Sequence, residues 1–237
     1  MKQFSALLIL PLLTLFFSCA ARIDGTIREG GSAEVSFQTS LEPRIIALIQ
    51  SLRSFMGETP STPILDGPAM GYSLASSPGI SSVSIRNTSG TSLEGIIYIS
   101  NIGDFLASPA GKGRFITYVE GRTPGSSSLI ITLDKDTTPE LISRLSPEAV
   151  EYLEALFAPA VLGETSTKAE YLSLVSMIYG RAMADEITAA RIRASVEFPR
   201  SVSSTHGGAA SGRRVDFNIP LVDLLVLETP LRYEVIW

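Results

Sequence analysis

The side chains able to do chemistry are few. The 237 residues hold one cysteine, Cys19, and one histidine, His206, beside 24 carboxylates and 19 basic residues. A deprotonated thiol attacks alkyl and acyl donors. A lone thiol has no disulfide partner within the chain and cannot supply a Cys-based zinc site. A lone imidazole could act as general base to one hydroxyl nucleophile, and Ser73, in Gly71-Tyr72-Ser73-Leu74-Ala75, is a serine to weigh for that role. Asp134, Asp136 and Glu140 cluster without the Gly and the spacing of a calcium loop, and a solvated helix start explains them more simply. Gly111-Lys112-Gly113 lacks the upstream Gly and the following Ser or Thr of a phosphate loop. Arg191, Arg193, Arg200, Arg213 and Arg214 form the densest basic group. If the 200–212 segment folds back they form a patch for anionic lipid headgroups; the simpler reading is a scattered, solvated set.

The position of Cys19 says more than its chemistry. Lys2 supplies a positive start, and Leu7 to Phe17 form an apolar run interrupted by a polar group only at Thr14. The run is too short to cross a bilayer and has the layout of an export signal. Phe16-Phe17-Ser18-Cys19, at its end, resembles the lipobox of bacterial lipoproteins, with Phe16 where Leu is usual; relaxed boxes of this kind are typical of spirochaete lipoproteins. The resemblance covers under a tenth of the chain. It implies that residues 1–18 are a signal peptide, that the Cys19 thiol receives a diacylglyceryl group, and that residues 19–237 are an ectodomain acylated at its new amino terminus. Several acyl chains on one residue hold a protein at the bilayer durably, where one chain does not. Ala20 after the Cys, in place of Asp, resembles the pattern sorted to the outer membrane rather than the inner. On the residues alone, a plain secretory signal cut near Ala20-Ala21 is the alternative.

A second resemblance joins His206 to Ser73. His206-Gly207-Gly208 looks like the oxyanion loop of some lipases and esterases, and the Ser73 segment looks like a nucleophile elbow with Ala in place of the last Gly. The order fails, because the oxyanion motif should precede the nucleophile, and one His cannot be both loop residue and base. His206 is expected to be an exposed loop residue, and the protein to be no enzyme.

Removing residues 1–18 leaves 219 residues with 18 basic against 24 acidic side chains, a net charge of −6. That balance argues against nucleic acid, which needs a clustered basic face. After Cys19 no apolar run approaches membrane-spanning length.

The elements that would carry these residues follow from periodicity. Residues 21–28 and 32–40 read as a hairpin around Glu29-Gly30-Gly31, with Ala33, Val35 and Phe37 on one face. Ser40 reads as the cap of a helix carrying Leu41, Ile45, Leu48, Leu52 and Phe55, closed by Gly57. Residues 58–79, with Pro60, Pro63, Pro68 and Pro78, read as a long irregular connection. Strands containing Val83 and Ile85, Ile96 to Ile99, Phe115 to Val119 and Leu129 to Leu133 suggest an antiparallel meander. Thr138-Pro139-Glu140 and Ser146-Pro147-Glu148 open two helices, and a long helix runs from about Thr167 to Arg191, with a stripe wide enough to be covered on more than one side. Strands return at 192–198, a Ser/Gly loop covers 200–212, and Val215, Phe217 and Ile219 alternate. A short apolar helix at 220–227 precedes a final strand docked through Leu231, Tyr233, Val235 and Trp237.

Strands, then helices, then strands predict one α+β domain, its sheet mostly antiparallel, its helices on one face. The expected function is a non-enzymatic, membrane-anchored binding or structural protein of the cell envelope, with an envelope protein or lipid as partner and no cofactor or metal. A carrier of a hydrophobic ligand held between sheet and helices is the alternative, and an esterase-like hydrolase the third.

Overall fold

The described part of the chain begins with a strand. The computed structural model describes residues 20–55, 65–108, 113–142 and 147–237. The expected signal peptide at residues 1–18, Cys19, Gly57, Gly111-Lys112 and Ser146 lie outside them, as do the side chains of Leu52, Phe55 and Ser73. β1 (Ala20–Ile27) and β2 (Ala33–Ser40) make the expected hairpin. Gly31 donates its amide to the Arg28 carbonyl and Arg28 its own to Ser32. α1 (Pro43–Phe55) and α2 (Gly67–Ala75) follow, then β3 (Ile80–Ser89), β4 (Ser92–Ile99), α3 (Ile102–Ala107), β5 (Ile116–Val119) and β6 (Ser128–Leu133). The helical stretch comprises α4 (Thr138–Ile142), α5 (Pro147–Ala155), α6 (Pro159–Leu162), α7 (Lys168–Tyr179) and α8 (Arg181–Ala189). The chain closes with β7 (Arg191–Glu197), β8 (Ser204–His206), β9 (Ala209–Ser211), β10 (Arg214–Pro220), α9 (Leu221–Val226) and β11 (Leu231–Ile236).

The α+β class stands, with the strands shared between two sheets. The larger has the order β3-β4-β2-β1-β7-β10-β9 and the smaller β5-β6-β11-β8. Every described pairing is antiparallel except β1 with β7, which brings the amino-terminal strand beside one that follows it by some 160 residues of sequence. The two pairs of the expected meander separate because α3 follows β4 and redirects the chain.

One apolar core joins sheets and helices. It includes Phe37, Leu93 and Ile97 from the large sheet, Ile45 and Ile49 from α1, Val175 from α7, Ile187 from α8 and Leu225 from α9. Trp237, 2% exposed, stacks 4.6 Å from Phe198 and 6.1 Å from Tyr118, and trades backbone hydrogen bonds with Ser127. The carboxyl terminus is docked, as the phased apolar residues predict. Ion pairing also ties the helices together: Arg44 of α1 meets Glu186 of α8 at 2.7 Å.

Several elements depart from expectation. Ser40 ends β2, paired with Ala20 and Ser92, and the helix starts only at Pro43. The Pro-rich connection contains α2, whose cap Asp66 accepts the Ala69 amide at 3.0 Å while Pro68 occupies the first turn, where a missing N–H costs nothing. The long helix breaks at Gly180, at φ 87° and ψ 157°, a region open essentially to glycine alone. Its first half is buried on one side only, through Tyr171 and Val175; Leu174, Met177 and Ile178 face solvent, Met177 at 78% exposure. The Ser/Gly loop holds two short strands, β8 joining the small sheet and β9 the large one.

Candidate functional site

The large sheet sorts its residues into rows by register. On one face the row Ile85–Gly95–Phe37–Ile23–Ala194–Phe217 runs across six strands and packs into the core. One residue along, on the other face, the row is Arg86–Glu94–Gln38–Arg22–Arg193–Asn218. Two residues further comes Ser84–Ile96–Ser36–Asp24–Ser195–Asp216. The polar rows follow from the pleat, since alternate side chains leave opposite faces of a strand.

This open face is concave. A groove of about 980 Å³ crosses it from Thr88 at the β3 side to Ala209 of β9, passing over Gln38, Arg22 and Arg193. An adjoining hollow of about 450 Å³ extends it toward Arg86 and Ser84. Together they are lined by the charged residues Arg22, Arg86, Arg191, Arg193, Arg214, Asp24, Glu94 and Asp216, five cations against three carboxylates in a chain of net charge −5.

All three carboxylates are engaged. Asp24 accepts from Arg22 at 2.8 Å, and the bond raises the Arg22 guanidinium above its ordinary value. Glu94 meets Arg86 at 2.5 Å. Asp216 accepts from the Ser195 hydroxyl at 2.5 Å and from Arg214 at 3.1 Å; both hold its carboxyl below the usual carboxylate range, the hydroxyl most. Arg191 donates to the carbonyls of Thr188 and Ala190 at the end of α8. Arg193 makes no ion pair or side-chain hydrogen bond among the described residues. Such a surface can bind polar, anionic groups.

The residues singled out by the sequence scatter otherwise. Ser73 lies within α2, a continuous helix instead of a strand-to-helix elbow, against the β3 edge of the large sheet. His206 is exposed on β8, three residues from β9 at the opposite edge, so the structure does not bring the pair together. It sits in a strand, not a loop. Asp134 lies in the turn that leads into α4, not in the helix: its carboxylate accepts the Thr137 amide at 2.8 Å and the Asp136 amide at 2.9 Å, bonds that depress its pKa, chiefly the Thr137 one. Glu140 pairs with Arg114 at 2.5 Å. Of the five basic residues, Arg191, Arg193 and Arg214 meet on the groove, while Arg213 pairs with Glu197 and Arg200 reaches Glu29 at 3.5 Å. Arg22, Asp24, Gln38 and Glu94 were not candidates from sequence. Nothing in their local sequence marks them, and only the register assembles them.

On the apolar side, a void of about 30 Å³ opens among Leu133, Leu153 and Leu225 near α4 and α9. Beside it a cleft of about 320 Å³, lined by Pro139, Ile142, Pro159, Val226 and Leu227, opens between helices. Among the described residues no helix is long and apolar enough to cross a membrane, and no three His, Cys, Asp or Glu side chains gather as a metal site.

No protein-family profile matches the chain. Comparison with curated proteins finds no match. Among solved structures, the chain is similar to the folded domain of LppM from Mycobacterium tuberculosis, determined by NMR, with 12% identity and a TM-score of 0.38 over 91% of this chain and 86% of that one.

Proposed function

We propose that the protein is a lipoprotein of the bacterial envelope, held by acyl chains on Cys19, that acts without catalysis as a binding module through the concave face of its large sheet. The groove of about 980 Å³ carries this reading: a hollow across a sheet face, lined by more cations than carboxylates, is a surface suited to meet a partner. The anchor reading is supported by the closeness of body and sulfur. Ala20, the residue after Cys19, is already paired with Ser40 and Arg191, so no linker separates the sheet from the lipid. The body lies outside the cytoplasm, at the outer membrane by the pattern of Ala20.

Metabolic labelling with a radioactive fatty acid tests the anchor: the wild-type chain takes up label and Cys19→Ala does not. Equal absence of label from both overturns it. Native mass spectrometry of the full chain from detergent tests the module, which predicts a polar, anionic adduct or an envelope protein retained with it.

A carrier of an apolar ligand is the second reading, favoured by the 320 Å³ cleft beside α4, α6 and α9. That volume is at the lower end of ligand sites. A fatty acid in the mass spectrum, lost when Ile142→Gln is introduced, would favour it over the polar face.

A further inference from the structure

We propose that the row Gln38–Arg22–Arg193–Asn218 binds a phosphate group. Arg22 and Arg193 are register partners on adjacent parallel strands, exposed on the same face. Their backbones are therefore separated by about one strand spacing, roughly 4.8 Å. Like charges placed directly opposite one another repel across a sheet. Both line the groove of about 980 Å³, and an anion between the two guanidiniums converts the repulsion into attraction.

The surroundings name the anion. Asp24 already occupies part of the Arg22 fork, through Nε at 2.8 Å and Nη2 at 3.4 Å, which fixes that side chain and leaves Nη1 for a ligand. Arg193 has its whole fork free among the described residues. The amides of Gln38 and Asn218 stand at the two ends of the row, on the strands that flank this pair. Two planar guanidiniums with an amide on either side offer more donors than the two oxygens of a carboxylate can take up. A phosphate, with three or four acceptor oxygens and a geometry matched to the guanidinium fork, does satisfy them. Arg191, two residues before Arg193 on the same face, adds positive potential without a carboxylate to cancel it.

Two sources carry that group: a free phosphate compound, or the headgroup of a membrane phospholipid. Arg22 is three residues beyond Cys19 in an extended strand, about 10 Å along the chain. Resting on the anchor reading above, that places the row at headgroup level.

The test uses the full-length protein in dodecyl maltoside, which carries no phosphate, and in discs of phosphatidylglycerol. In detergent, about 10 mM inorganic phosphate should raise the unfolding midpoint above that in chloride of equal ionic strength. Apparent phosphate affinity should fall about tenfold or more in Arg193→Gln and in Arg22→Gln, and stay unchanged in Arg232→Gln, whose ion pair with Glu234 lies on the small sheet. Retention of the wild-type circular dichroism by each variant certifies the comparison, and Arg193→Lys should recover part of the binding. A midpoint already raised in discs for wild type but not for Arg193→Gln identifies the headgroup as the source. Equal midpoints in discs, with the detergent effect intact, identify a free phosphate compound. No phosphate-specific rise in detergent, or a rise that both Gln variants keep, overturns the site. Failure of fatty-acid labelling with the phosphate effect retained would remove the anchor and leave the site standing.

Discussion

The two faces of the large sheet are made by the same strands and do opposite work. Phe37 and Gln38 are neighbours in β2; the first is 3% exposed beneath the core, the second projects into the groove. On the core face every residue in the Phe37 row is apolar, and the packing is close enough that Gly95 leaves room for the Phe37 ring: a Cβ there would lie 2.7 Å from Phe37 Cζ and 2.9 Å from Ile85 Cγ1. On the open face the charged residues pair with one another at exposed positions, where such pairs contribute little to stability. Stability therefore resides on one side of the pleat, and freedom to vary, or to bind, on the other.

Substitutions that separate the faces put this contrast at risk. The largest expected effect is Phe37→Ala, about 3 to 5 kcal/mol lost in urea unfolding, because a ring is removed from a filled core. Gln38→Ala, one residue away, should change stability by less than about 0.5 kcal/mol. Comparable losses for the two would abolish the distinction. Gly95→Ala should cost about 1 to 3 kcal/mol through overpacking against Phe37 and Ile85, whereas Ile96→Ala, on the exposed row, should cost well under about 1 kcal/mol by the same assay.

The smallest effect concerns pH. The Asp216 carboxyl, held below its ordinary value of 3.8, adds stability that is present above that value and is lost as pH falls through its lower folded one. Asp216→Asn should therefore flatten slightly the acid limb of the stability profile and leave neutral pH nearly untouched, since the group is exposed and screened. A large change at pH 7 would mean that the open face contributes to folding after all.

Legibility followed the range of the interactions. The hairpin of β1 and β2 and the start of α7 are readable because each depends on residues close in sequence, and the final strand because its own apolar residues alternate in phase. At α7 the Thr167 hydroxyl and the Glu170 carboxylate cap one another's turn, with Thr167 donating its amide to Glu170 at 2.8 Å. The break at Gly180 escaped because an isolated Gly is tolerated inside a helical pattern, and only the conformation it adopts there ends the helix. α2 escaped because prolines mark loops as readily as first turns. The candidate site was the least legible part. Arg22 and Arg193 are 171 positions apart, and nothing near either one announces the other.

By itself the sequence determined the hairpin of β1 and β2, the start of α7, that strands and helices would mix in an α+β chain, and that one thiol ends an apolar run. These rest on periods of two and 3.6 residues and on turn chemistry, all of short range. Only the tertiary structure decided that the strands divide between two sheets, that β1 runs parallel to β7, and that arginines from opposite ends of the chain share one hollow. Strand register is the reason: pairing is chosen by which apolar rows can be buried together, and the polar rows are carried to their places on the other face as a consequence.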